Sequence, residues 1–299
     1  MAITLRETIK NTVAEHLKAG NLAFGQCLTA VGWVGGTLPE MYEKDGMIEL
    51  SMADVAGGGF VVGAGLMQKK PIYVIRYQGF TWYNLISIVN YACKSKEMWD
   101  IPCPIFVRSI AMEGSIGPVA GSSHHSSFHR MPGIKIYSPM TSLEYKNCYN
   151  DFMHDDDVYY VSEHRGSYNN SEELHDIEYD NPHIVLFPIS ITRFAAMEAS
   201  QDLSKLGIRV SVYHQKILKP FNITNNIADA LNDSGKGIVI DDDYEDGIAS
   251  TLAQKLMVQS NSKVYTLGLE NKSSGFAKHL DNLPPNASKI RETILEVIQ

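Results

Sequence analysis

Residues 48–77 read "IELSMADVAGGGFVVGAGLMQKKPIYVIRY". A short apolar strand ends at one acid, Asp54. A glycine-rich, helix-like segment follows through Leu66, and "PIYVIRY" (71–77) is apolar nearly throughout. Strand, helix, then fully buried strand is the unit of a parallel sheet covered by helices. In such sheets ligands gather beyond the carboxyl ends of the strands, which is where Asp54 falls. The glycines would let another backbone, or a flat ring, come close. The ordinary alternative is that Asp54 is a helix N-cap, since Asp is a favoured capping residue. The spacing of the glycines is not that of a dinucleotide-binding fingerprint.

The same alternation continues outward. Strand-like runs at 103–110, 133–139 and 158–163 are separated by helical patterns at 84–98 and in "SLEYKNCYNDFMHD", and residues 4–18 precede them as an amphipathic helix. Residues 1–165 are therefore expected to form a doubly wound parallel α/β domain. Residues 166–186 are polar and rich in turn formers, as in a linker. Alternation resumes in 187–299, which reads as a second, smaller α/β domain.

Composition narrows the function classes. The net charge is −8 with no long basic run, which argues against nucleic acid or an anionic membrane as partner. No apolar run is long enough to span a bilayer. The first residues lack the apolar block of a signal peptide. Cys27, Cys93, Cys103 and Cys148 are scattered without CxxC spacing, so free, buried thiols in a reducing cytoplasm are expected rather than a zinc site.

Three further stretches carry chemistry. "GPVAGSSHHSSFHRMPG" (117–133) places His124, His125 and His129 in a Gly/Ser-rich loop. Histidines at the mouth of a sheet serve in proton transfer or anion binding, and otherwise hydrogen-bond to backbone; the acid of an HExxH metal pair is missing. "YQGFTWY" (77–83) ends a strand with aromatics, as a core or interface cluster or as a stacking surface for a heteroaromatic ring. "IDDDYED" (240–246) reads as a solvated acidic loop, with a calcium or magnesium site as the sharper alternative.

In this order and spacing the blocks resemble the beta subunit of the decarboxylating component of 2-oxo acid dehydrogenase complexes. The resemblance extends to the pyrimidine-binding and C-terminal domains of transketolase. It rests on "SMAD" with "VAGGGFVVGAGLMQKKPIYV", on "YQGFTWYNLISIVNYACK", "IPCPIFVR" and "HHSSFHRMPGIKIYSPMTSLEYKNC", and on "KILKPFN" (216–222) in the last domain. It implies a pyrimidine-binding domain followed by a transketolase C-terminal-like domain, and thiamine diphosphate as cofactor. Asp54 would take the place of the family's glutamate, which hydrogen-bonds the pyrimidine ring and favours its imino tautomer. Phe80, with Tyr77 nearby, would stack on that ring, and Asn90 and Glu163 would complete the cofactor site. His124 or His125 would be the active-site histidine.

The family's Gly-Asp-Gly and Asn-Asn pair, which hold the diphosphate and its magnesium, does not occur in these residues. The resemblance therefore implies an alpha-type subunit carrying that half, in an α2β2 assembly that includes a second copy of this chain. The substrate would be a small 2-oxo acid or a ketose. The alternatives are the C-terminal-half subunit of a transketolase, and a catalytically impaired structural partner. The family has Glu where this chain has Asp54, one methylene shorter and about 1.5 Å less in reach.

Overall fold

The computed structural model describes residues 2–114, 116–117 and 119–299; Pro118 of the histidine-rich stretch lies outside them. The chain divides into two compact units, 1–112 with 128–173 and 113–127 with 174–299. Its strands are β1 (Ala23–Gln26), β2 (Met47–Leu50), β3 (Ile72–Ile75), β4 (Ile105–Ala111), β5 (Ile134–Tyr137), β6 (Val158–His164), β7 (Ile184–Pro188), β8 (Val210–Val212), β9 (Ile217–Lys219), β10 (Lys236–Tyr244) and β11 (Lys263–Leu269). Its helical segments are α1 (Leu5–Lys18), α2 (Ala30–Gly36), α3 (Asp54–Leu66), α4 (Thr81–Asn84), α5 (Cys93–Trp99), α6 (Ser126–His129), α7 (Ser142–Met153), α8 (Thr192–Ser204), α9 (Asn225–Ser234), α10 (Ile248–Ser260) and α11 (Ala287–Ile298).

In the first unit the strands lie in the order β2-β1-β3-β4-β6-β5, every neighbouring pair parallel. β3, β4 and β6 are buried at every position, so β3 and the opening residues of β4 and β6 read as continuous apolar runs rather than alternating ones. α1 begins at a capping box between Thr4 and Glu7 and buries Leu5, Ile9, Val13 and Leu17, spaced four apart, in the unit's core. One ion pair lies inside this core. Arg108 on β4 donates from Nε to Glu163 Oε1 on β6 at 2.6 Å, and Tyr168 donates its hydroxyl to Glu163 Oε2 at 2.7 Å.

One segment of the first unit departs from the sequence reading. The stretch 84–98 is not one helix: a π-turn over Ile88–Ala92 separates α4 from α5. α2 is a left-handed turn, with φ between 52° and 76° from Val31 to Gly36. Glycine adopts that backbone freely, but Val31, Trp33 and Val34 each carry a cost of roughly 1–2 kcal/mol there.

The second unit holds a four-stranded parallel sheet in the order β11-β10-β7-β8. Its core is built from Ile184, Leu186, Ile238 and Ile240 of the sheet with Ala196, Leu203, Ile290 and Ile294 of α8 and α11. Within the polar 166–186 stretch, Ile177 makes an antiparallel bridge to Val212. The acids expected in a solvated loop are not solvated: Asp241, Asp242 and Asp243 are strand residues of β10, all buried. Cys93, Cys103 and Cys148 are buried free thiols, and Cys27 is half-buried. No helix among the described residues is long and apolar enough to cross a membrane.

Candidate functional site

At the carboxyl ends of β1 and β3, and at the start of α3, the first unit contains a cavity of about 230 Å³. Gln26, Met52, Asp54, Tyr77, Phe80 and Asn84 are among its lining residues. Parallel strands end here together, so their last side chains converge. The cavity is smaller than the roughly 300 Å³ at which sites for whole drug-sized ligands begin, so it suits one ring of a larger ligand.

Asp54 is the first residue of α3 and not its cap. The N-cap is Ala53, and no side chain caps the helix. Instead the carboxylate turns to two amides: Gln26 Nε2 and Asn84 Nδ2 each donate to Asp54 Oδ1 at 2.9 Å. Oδ2 has no protein partner among the described residues. Asn84 is itself held on three sides. Its Oδ1 accepts from the Tyr73 hydroxyl, and its Nδ2 also donates to the Phe80 carbonyl at 2.9 Å. Burial and the nearby Asp54 charge push the Tyr73 phenol above its ordinary range, so it stays a neutral donor. That donor fixes which way the Asn84 amide faces.

The packing of α3 depends on Gly58. A methyl group there would overlap the Asn84 carbonyl oxygen. Gly58 thus lets the backbone that carries Asn84 approach α3 closely enough for the Asp54–Asn84 bond. Tyr77 and Phe80 stand together with ring centroids 6.2 Å apart and tilted by 46°, and Phe80 is 36 % exposed. An open carboxylate oxygen beside two aromatic rings can accept an N–H from a flat heterocycle while the rings cover its face.

The structure thus brings Asp54, Tyr77 and Phe80 into one cavity. Asn90 is not in its lining; it is exposed, on the π-turn. The asparagine that lines the cavity is Asn84, and Gln26, the other donor to Asp54, was likewise missed from sequence. Gln26 is the last residue of β1, so its position at a parallel strand's carboxyl end is the signal that could have found it. Glu163 is outside the lining as well, fully engaged by Arg108 and Tyr168.

His124 and His125 belong to the second unit. His125 is fully buried, with Nε2 3.1 and 3.2 Å from the two oxygens of Asp241. Burial alone would lower its pKa, but Asp241, Asp243 and Asp242 outweigh that and push it up to about 10, so it is an imidazolium. Ser123 and Ser190 donate to Asp242 Oδ2 at 2.7 Å, and the Ser126 N–H donates to Asp243. Hydrogen bonds and one cation are what allow three consecutive acids to be buried. His124 is only half-buried and stacks on Tyr244, with ring centroids 6.3 Å apart. Burial lowers its pKa, opposed by Asp243 and reinforced by the His125 charge.

Comparison with known proteins bears on the family and the fold. The pyrimidine-binding domain of transketolase matches residues 2–171. The pyruvate dehydrogenase E1 component subunit beta of Bacillus subtilis is 23% identical over 335 aligned positions, covering 99% of each chain. The beta subunit of acetoin:2,6-dichlorophenolindophenol oxidoreductase of Cupriavidus necator is 23% identical, over 71% of this chain and 68% of its own. Among solved structures, a split-gene transketolase described as an inactive beta4 tetramer aligns with a TM-score of 0.73 at 14% identity, covering 100% of this chain and 99% of its own. The transketolase of Campylobacter jejuni aligns with a TM-score of 0.74 at 15% identity over 98% of this chain, which matches 46% of that longer chain. The fold is accordingly the α/β fold of transketolase-type enzymes, and the chain belongs to the transketolase pyrimidine-binding domain family.

Proposed function

We propose that this chain is the beta-type subunit of a thiamine-diphosphate enzyme acting on a 2-oxo acid or a ketose. The observation that carries the reading is Asp54. One of its oxygens is fixed by Gln26 and Asn84, and the other is open beside Tyr77 and Phe80 in a ring-sized cavity. The residues fit an aminopyrimidine: a carboxylate acceptor for a ring N–H, aromatic walls, and room for one ring. When bound, the cofactor supplies the electron sink for a carbanion formed next to a carbonyl. Asp54 holds the proton shared with the ring, Gln26 and Asn84 keep the carboxylate in place, and Phe80 and Tyr77 exclude water from the ring face.

His124 is our candidate for proton transfer at the substrate. It is half-exposed, and burial keeps it neutral near pH 7. His125, as an imidazolium paired with Asp241, is the positioning partner that holds the histidine segment on β10. Glu163 supports the sheet through Arg108 rather than touching cofactor, and Asn84 takes the role expected of Asn90. The diphosphate and its magnesium belong on an alpha-type partner in an α2β2 assembly, and the working compartment is the cytoplasm.

The test is to recover the tagged chain from its host with its bound subunits and to titrate the complex with thiamine diphosphate and magnesium by calorimetry. Saturable binding that Asp54→Ala removes is the expected result. A chain that comes down alone, and a complex that takes up no cofactor, would each overturn the reading.

A further inference from the structure

The second unit gathers four metal-ligating side chains at one end of its sheet. Asp241, Asp242 and Asp243 follow one another on β10, and His125 reaches them from the histidine-rich segment. Consecutive residues of a regular strand point to opposite faces. Here the pairing of β10 with β11 shifts register between Ile240 and Tyr244. An irregularity of that kind re-aims side chains, so neighbouring acids can turn towards one ring nitrogen.

The distances are those of a coordination group drawn slightly open. One ligand atom each from His125, Asp241 and Asp242 lies within 4.8 Å of the others. Ligands about 2.1 Å from a common ion stand roughly 3–4 Å apart. His125 Nε2 is already 3.1 and 3.2 Å from the two Asp241 oxygens, and 3.9 Å from Asp243 Oδ2. All four residues are buried, His125 and Asp241 completely. Buried charges are paired or coordinate a metal. Three carboxylates against one imidazolium leave these four side chains with an excess of negative charge, which a dication in place of the imidazolium proton reduces.

The surroundings fix the ligands. Ser123 and Ser190 each donate to Asp242 Oδ2 at 2.7 Å, and the Asp242 N–H donates to Asp241 Oδ1 at 2.8 Å. Carboxylates that ligate a metal are oriented by such donors. The histidine segment is seated by the next residue. Ser126 Oγ accepts from the Ile248 N–H at 2.9 Å, and a Cβ on Gly247 would overlap that hydroxyl.

We propose that His125, Asp241 and Asp242, with Asp243 beside them, bind one divalent transition-metal ion, zinc or manganese. The imidazole selects the class. Calcium and magnesium take oxygen ligands, whereas an imidazole among carboxylates suits a first-row transition metal. The ion takes the place of the His125 proton, so His125 is an imidazolium in the metal-free chain and a neutral ligand in the metal-bound one. It ties the histidine segment to β10 and fixes the backbone next to His124. The assignment rests on these residues and not on the cofactor reading of the first unit.

The experiment strips the full chain with a chelator and titrates it by calorimetry with zinc, manganese and calcium in separate runs. Saturable binding of zinc or manganese, one ion per chain, is expected, with calcium weaker by about tenfold or more. The tighter of the two transition metals names the ion. Asp242→Asn keeps an acceptor for Ser123 and Ser190 and loses the charge, so it is expected to fold. It should weaken binding by about tenfold or more, and His125→Asn likewise. His154→Gln, at an exposed histidine elsewhere, should leave binding unchanged. On the unaltered chain, amide resonances of residues 123–126 and 241–243 should shift or broaden before any others as the bound ion is added. No saturable binding of either transition metal, calcium binding as tightly, or unchanged binding in Asp242→Asn each overturns the site. Resonance changes that begin elsewhere in the chain overturn it as well, whether or not the variants fold.

Discussion

Asn84 Nδ2 donates to Asp54 Oδ1 at 2.9 Å, and Tyr73 holds the other end of the same amide. The geometry makes Asn84 an orienting residue and Asp54 the ligand-facing one. Asn84→Leu should therefore cost both stability and binding. It strips a donor from Asp54 and leaves the buried Tyr73 hydroxyl without its acceptor, at about 1–3 kcal/mol. Asp54→Ala should abolish thiamine diphosphate binding at less than about 1 kcal/mol of stability, because Asn84 keeps its bonds to Tyr73 and the Phe80 carbonyl, and the N–H groups released on Gln26 and Asn84 line the cavity. Melting curves and cofactor titrations on the two variants check this. Equal effects on both readouts would remove the distinction between the two roles.

Whether Asp54 is a weakened substitute for glutamate or a fitted residue is decided by Asp54→Glu. The longer side chain moves the carboxylate by about 1.5 Å. Gln26 and Asn84 are placed for the shorter one, both bonding to the same oxygen at 2.9 Å. Displacements of about 1 Å cost on the order of a hundredfold in rate, so Asp54→Glu is expected to lower both cofactor affinity and turnover of the assembled enzyme. Faster turnover in the variant would show the chain to be an impaired member of its family.

The fold was legible because its signal is redundant. β3, β4 and β6 are buried on both faces, so β3 shows as an unbroken apolar run and β4 and β6 open with one, and helical spacing returns between them. That Asp54, Tyr77 and Phe80 share one cavity was legible because strand ends in a parallel sheet converge and the family pattern names them. Asn84 was not, because its role comes from the approach of two backbones at Gly58, a relation between elements that spacing along one helix does not contain. Asn90 was named by the resemblance alone, which puts an asparagine on that helix; it is exposed on the π-turn at Ile88–Ala92 and outside the cavity lining. The buried state of Asp241, Asp242 and Asp243 was hidden for the same reason. Three adjacent acids read as solvated until His125, Ser123 and Ser190 are known to face them.

Glu163 gives a prediction in the opposite direction from the family pattern. It is buried, bidentate to Arg108 and bonded by Tyr168. Glu163→Gln leaves the Arg108 charge uncompensated in the core, which costs roughly 3–5 kcal/mol. Chemical denaturation should show that loss, while cofactor affinity of the protein that remains folded should be unchanged. A stable variant with impaired cofactor binding would return Glu163 to the site.

Two buried histidines should give the units opposite pH dependence. His16 in the first unit lies between the Tyr149 hydroxyl and the Leu22 carbonyl, and burial lowers its pKa from 6.5 to about 4, against the pull of the Leu22 hydrogen bond. The unfolded chain then binds more protons than the folded one between those values. His16 therefore has no cost above pH 6.5 and removes stability as pH falls towards 4, by about 3 kcal/mol in full. His125 in the second unit is raised to about 10. Its stabilising contribution is complete below pH 6.5 and is lost as pH rises through 10. Hydrogen exchange resolved by residue, measured at pH 5, 7 and 9, should show protection falling on the acid side in α1 and β1 and on the alkaline side in β10. His16→Gln should flatten the first trend and leave the second. Loss of protection in both units on the same side of neutrality would mean that one of these two histidines does not hold the charge state its surroundings impose.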